Sequence, residues 1–223
     1  MMTRKLAAEA LGTAMLLMAV VGSGIMAERL AGGNDALALL ANTIATVATL
    51  ITAILIFGPI SGAHFNPAVT ITVGRPSDQP LWGYVPVQIV SGIAGVMLVN
   101  WMFGLPPVFW SEKARTGLPQ WVSEGVATFA LVLTILAVSR TRPAATPFAV
   151  GLIITGAYWF TPSTSFANPA VTIARAFSNT FAGIAPPDVP GFVLAQMAGA
   201  GLASCTYRLL YPQELSPQKE ERK

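Results

Sequence analysis

The chain has 223 residues, of which 53% are hydrophobic and 10% charged, with a net charge of +3 and a mean hydropathy of +0.61. A soluble globular domain carries about 25% charged residues, so this composition excludes one and indicates a polytopic membrane protein. The basic residues stand at segment ends rather than in a patch, so no nucleic-acid partner is expected; a single histidine and a single cysteine, Cys205, exclude an internal disulfide and a cysteine-rich metal site.

A spanning helix needs about 20 apolar residues. The first is expected near 6–27, with Glu9 inside it, and the second near 36–57. The charge-free run 36–74 is too long for one helix, and its surplus carries Asn66-Pro67-Ala68-Val69-Thr70. From Asn66 to Arg75 a helix rises about 15 Å, half the hydrocarbon thickness, which predicts a half-helix dipping into the membrane. Further spans are expected near 81–103, 120–139 and 146–161. The charge-free run 143–174 again has a surplus, and it carries the same five residues as Asn168-Pro169-Ala170-Val171-Thr172. The last span is expected near 188–210.

Asn-Pro suits the start of such a half-helix, since asparagine caps a helix N-terminus and proline fits the first helical position. Irregular backbone at membrane depth is tolerated only inside protein or along a water-filled cavity. The repeat extends further, because Glu9 to Thr13 opens the first span and Glu124 to Thr128 the fourth with the same Glu-x-x-x-Thr spacing. Residues 1–223 are thus read as one transmembrane domain of two repeats, about 6–103 and 120–210, with a solvated tail at 211–223. Three spans per repeat require the second repeat to be inverted, a plan with its working site at the midplane. One side would hold Arg4, Lys5, Arg75, Arg140, Arg142, Arg208, Lys219, Arg222 and Lys223, and the other Arg29, Lys113, Arg115 and Arg175. The excess of positive charge puts both termini in the cytoplasm.

Two half-helix N-termini meeting at the centre bring about half a positive charge each, and the amides of Asn66 and Asn168 add hydrogen-bond donors. Cations are repelled there and neutral, hydrogen-bonding solutes are accepted. A pore for uncharged solutes follows. A secondary transporter could share the inverted repeat, but only Glu9 and Glu124 lie within the membrane as charges.

The segment "SGAHFNPAVT", the second Asn-Pro-Ala and the paired Glu-x-x-x-Thr resemble the aquaporin, or major intrinsic protein, family from about residue 6 to 210. The resemblance implies an all-α fold of six transmembrane helices and two re-entrant half-helices, a homotetramer with one pore per subunit, and no cofactor. It also implies that Glu9 and Glu124 accept hydrogen bonds from the re-entrant loops, and that His64 orients the first of them. Carried over by spacing, the family's four-residue filter falls on Thr46, Gly156, Ser165 and Val171. Water-selective members place a bulky aromatic, a histidine, a small residue and an arginine there. Here Val171 replaces the arginine, and Thr46 and Gly156 remove bulk, so a wide constriction is expected. The stretch "FANPAVTIARAFSNTFAGI" is similar to bacterial aquaglyceroporins encoded beside arsenic-resistance genes. That similarity implies a bacterial inner-membrane channel for water, glycerol-like polyols and neutral metalloids such as arsenite and methylated arsenicals; a plain water and glycerol channel is the alternative.

Arg175 lies one turn beyond Val171. It either supplies positive charge to an outer vestibule or bonds loop carbonyls, and the second is favoured. Glycines 92, 95, 151, 199 and 201 are expected at close helix contacts, and Cys205 in the core.

Overall fold

The computed structural model describes residues 2–73 and 81–212; Arg75 and the charged tail lie outside them. Eight α-helices form within the described residues: α1 (Met2–Leu30), α2 (Asp35–Ser61), α3 (Pro67–Val73), α4 (Leu81–Met102), α5 (Leu118–Thr141), α6 (Thr146–Phe160), α7 (Pro169–Arg175) and α8 (Val189–Leu210). All but α3 and α7 are long and apolar enough to cross a membrane, α6 together with the 3-10 turn before it. The two short helices are the half-helices anticipated from the repeated motif.

Local chemistry sets several boundaries. Asn34 caps α2 by accepting a hydrogen bond from the Leu37 amide at 3.0 Å. The helix ends where Gly62 turns left-handed at φ 90° and returns its N–H to Gly58. α1 overruns its expected limits at both ends, because Arg4, Lys5 and Arg29 are good helix formers and the chain stays helical beyond the hydrocarbon layer.

α1 packs against α2 and α4, and α5 packs against α6 and α8 in the same way. The halves join along α2 and α6. They also interleave: α7 sits against α4, and α3 against α8. Each half-helix therefore rests on the last span of the opposite repeat, as an inverted pair requires. The outward faces carry exposed Leu11, Ile44, Leu152, Leu194 and Leu202, which is the apolar surface a lipid environment demands.

Four of the five glycines stand at helix contacts, three of them tighter than a Cβ normally allows. A Cβ on Gly199 would sit 2.1 Å from the Gly125 carbonyl oxygen, and one on Gly95 would sit 2.7 Å from that of Ala14. Gly92 and Gly151 face Leu17 and Ile51. Gly201 does not belong with them, since nothing lies within 4 Å of its Cβ position. Cys205 is exposed rather than in the core. The reason is helix phase: the buried stripe of α8 runs through Phe192, Gln196, Gly199, Ala200 and Ala203, leaving 201 and 205 on the other face.

Gly199→Ala is expected to push α5 and α8 apart and to cost about 1–3 kcal/mol or more, because the obstacle is backbone that cannot rotate away. Gly201→Ala should be neutral. Thermal unfolding of both variants in the same detergent checks this, and equal melting temperatures would refute the packing account.

Candidate functional site

Two short backbone runs lead into the half-helices, and both are bent in an unusual way. Ala63 and Phe65 have φ of 51° and 49°, and Ser165 and Ala167 have φ of 52° and 49°. Left-handed conformations cost non-glycine residues about 1–2 kcal/mol each and persist only where surroundings impose them.

The imposing groups are the two glutamates, both fully buried. Glu9 accepts from the His64 amide at 3.0 Å, the Phe65 amide at 2.8 Å, the Ser61 hydroxyl at 2.6 Å and Gln88 Nε2 at 2.8 Å. Glu124 accepts from the Phe166 and Ala167 amides, both at 2.8 Å, and from Gln196 Nε2 at 2.6 Å. The expected loop-bracing geometry is present at both. The partners Gln88 and Gln196 were not anticipated. Each donates a second bond to a half-helix threonine, Thr70 or Thr172, at 2.9 and 2.8 Å. A glutamine within an apolar span is the signal that could have found them. His64 extends the first network, with Nδ1 3.2 Å from Thr70 Oγ1 and its ring edge-on to Tyr84.

The asparagines close the centre. Asn66 Oδ1 accepts from the Ala68 amide at 2.9 Å, and Asn168 Oδ1 from the Ala170 amide at 2.9 Å, so each caps its own helix beside Pro67 or Pro169. Asn66 Nδ2 then donates to the Ala167 carbonyl at 2.8 Å, and Asn168 Nδ2 donates to the Phe65 carbonyl at 2.9 Å. Two expectations are refined by this clasp. The first-turn amides of the half-helices are satisfied by the asparagine carbonyls rather than left free. Each side-chain amide has two N–H groups and spends one across the repeat interface, leaving one for a solute.

A cavity of about 190 Å³ passes this centre, lined by Asn66 and Asn168, by Ser139 and Thr146 near the α5–α6 turn, and by Thr46, Ser165 and Val171 toward the other end. Three of the four anticipated filter positions therefore line the same cavity. Gly156 is not among the lining residues, and its Cβ position points at the Phe160 ring, 3.6 Å away. Tyr158 lines the cavity instead. Residues two apart on a helix face about 200° apart, so Tyr158 and Gly156 cannot share the pore face. The filter is consequently less empty than the sequence suggests, with a phenol where a bare backbone was expected. The hydroxyls of Ser165 and Thr146 are buried and have no hydrogen-bond partner among the described residues, and that of Thr46 lies against Tyr158. Ser165 and Thr146 thus put one such hydroxyl toward each end of the cavity, where a turn of the side chain would let it meet a passing solute.

Four cations gather at that end of the molecule. Lys113, Arg115 and Arg175 donate to the consecutive carbonyls of Phe181, Gly183 and Ala182, and Arg29 donates to that of Phe103. The favoured reading of Arg175, bonding to a loop carbonyl, is present. Burial, and then the neighbouring Arg115 and Arg175, push the Lys113 amine below its ordinary value. Two guanidiniums approach Phe166, with Arg175 Cζ 3.3 Å and Arg115 Cζ 5.0 Å from its ring centre. Neither Arg115 nor Phe166 was singled out from the sequence.

Two capped half-helices that meet end to end beside a cavity, inside a bundle of inverted repeats, define a membrane channel. Comparison with known proteins gives its lineage. The family model described as major intrinsic protein matches residues 1–158, and the chain belongs to that family, the aquaporins, which are passive channels and not enzymes. Aquaglyceroporin AqpS of Rhizobium meliloti (strain 1021) is 56% identical over 212 residues, spanning 94% of this chain and 91% of its own. Aquaporin NIP6-1 of Arabidopsis thaliana is 30% identical over 238 residues, spanning 98% and 73%. The X-ray structure of the aquaglyceroporin from Plasmodium falciparum has the same fold, with a TM-score of 0.68 at 20% identity over 95% of this chain and 98% of that one.

Proposed function

We propose that this protein is an aquaglyceroporin of a bacterial inner membrane, conducting glycerol-like polyols, water and neutral metalloids, arsenite and methylated arsenicals among them. Both termini are cytoplasmic in this reading, and four copies assemble with one pore each. The observation that carries it is the filter end of the cavity, which Val171 lines together with Thr46 and with Ser165, whose hydroxyl has no partner among the described residues. The name of the Rhizobium relative supports the polyol part. Trivalent arsenic at neutral pH is mostly uncharged As(OH)3, which displays hydroxyls much as glycerol does. Orphan hydroxyls and the spare asparagine N–H groups can exchange hydrogen bonds with it. Methyl groups in place of arsenic hydroxyls add apolar surface, which a valine wall accepts at lower desolvation cost than a charged one. The opposed half-helix dipoles keep the centre unfavourable for cations.

Proteoliposome uptake decides the matter. Glycerol, arsenite and methylarsenite should enter linearly with concentration and without saturation, while arsenate, mostly anionic at neutral pH, stays near the empty-vesicle rate. Glycerol flux with arsenite and methylarsenite at the empty-vesicle rate reduces the protein to a plain water and glycerol channel. Saturating flux coupled to an ion gradient makes it a carrier.

A further inference from the structure

Arg175 combines three properties that no loop-bracing role requires. It is 3% exposed, it lines the central cavity, and no carboxylate among the described residues pairs with it. Its Nε is used, donating to the Ala182 carbonyl. Its two Nη atoms have no acceptor among the described residues, yet they are not sealed from solvent as the Ser165 hydroxyl is. A lining residue with unsealed, unpaired nitrogens presents them to the cavity. Arg115, whose guanidinium is also near the Phe166 ring, behaves differently. It spends Nε, Nη1 and Nη2 on the carbonyls of Gly183, Ser163 and Phe181, and it does not line the cavity. One guanidinium fastens the loop, and the other is held against Phe166 with its outer nitrogens free.

Helix geometry explains how a residue past the filter acts within it. Arg175 and Val171 lie four residues apart on α7, hence on one face with a rise of about 6 Å between them. Side chains on a helix lean toward its N-terminus, over the preceding turn. The Arg175 side chain therefore reaches back toward the level of Val171, and its stacking on Phe166, two residues before Asn168, fixes that direction.

We propose that Arg175 is the specificity-determining cation of this pore, supplying from one turn along α7 the positive charge that position 171 lacks. It excludes alkali cations from the constriction and offers its Nη donors to the oxygens of neutral solutes. This rests on the reading of the protein as a channel for uncharged solutes, and it adds the residue that keeps charged ones out. The charge acts in a confined cavity of about 190 Å³ beside apolar Val171 and Phe166, where a like-charged ion cannot be screened as it is in bulk water.

The test uses full-length protein in liposomes, with potassium leak and glycerol flux measured on the same preparations. Arg175→Gln keeps a donor for Ala182 but removes the charge, and it should raise potassium leak on the order of tenfold while glycerol still passes. Arg175→Lys, which keeps the charge, should remain as tight as the parent, an outcome that a purely structural role for the guanidinium fork would not give. An inserted, glycerol-conducting Arg175→Gln channel as tight to potassium as the parent overturns the proposal. A second readout needs no variant. Under an imposed potential the residual leak through the parent protein should favour nitrate over potassium, and a preference for potassium overturns the proposal as well. Absence of glycerol flux through the parent counts against the channel reading instead, and the nitrate-to-potassium ratio still decides the role of Arg175.

Discussion

Glu124→Ala is expected to yield a protein that unfolds at markedly lower temperature in detergent and conducts no glycerol. The carboxylate accepts from the Phe166 and Ala167 amides and from Gln196. All of these are buried, and alanine offers none of them a replacement. A buried donor left without a partner costs about 1–3 kcal/mol, and three of them approach the whole stability of an ordinary domain, about 5–15 kcal/mol. The left-handed Ala167 would also lose its restraint, so the run feeding Asn168 would relax and take the central clasp with it. Glu124→Gln separates geometry from charge, since it retains one carbonyl acceptor but turns the other oxygen into a donor facing donors. It should fall between the parent and the alanine variant. Melting temperature and glycerol flux, read together, check this, and an alanine variant with parental stability would remove the glutamate from the account.

Val171→Arg should produce the largest change in selectivity. The valine wall borders a cavity of about 190 Å³, and an arginine side chain there would fill the space beside Thr46 and Ser165. It would also set a second guanidinium one turn, about 6 Å, from Arg175. Glycerol and arsenite must pass this point with hydroxyl groups extended on several sides, whereas water needs room for a single oxygen. We expect glycerol and arsenite permeability to drop on the order of tenfold or more and water permeability by far less, since steric access and lining donors set selectivity in such pores. Stopped-flow light scattering on matched vesicles measures both rates. Equal losses for water and glycerol, in a variant that melts like the parent, would place position 171 away from the constriction.

The parts of this design legible in the sequence are those whose chemistry is local. A helix start written as Asn-Pro can be recognised without knowing its neighbours, so both half-helices and their asparagines were found from the motif alone. Glu9 and Glu124 were visible because a carboxylate inside a span must find partners. Those partners lay on other helices, so Gln88 and Gln196 stayed hidden although each is a glutamine in an apolar run. The tyrosine in the filter was missed for a geometric reason. Counting backwards from Val171 fixes a position on α6 only if the intervening turn has a set length, and Thr164, Ser165 and Ala167 bend that turn through left-handed angles. A two-residue error then rotates the choice to the opposite face of the helix. Spacing likewise placed Arg175 beyond the filter, but it could not show that the side chain doubles back along its own helix.

The crossed asparagine bonds have a consequence for how the protein is made. Asn66 reaches for the carbonyl of Ala167, 101 residues later in the chain, and Phe65 waits for Asn168. A ribosome delivers the first half into the membrane long before either partner exists. Until α6 and the turn after it have been synthesised and inserted, the first re-entrant loop holds an unspent amide donor and an unspent carbonyl. The nascent first half is therefore obliged to remain open to water or shielded by the insertion machinery, and the pore centre closes late, in one step, when the second loop arrives.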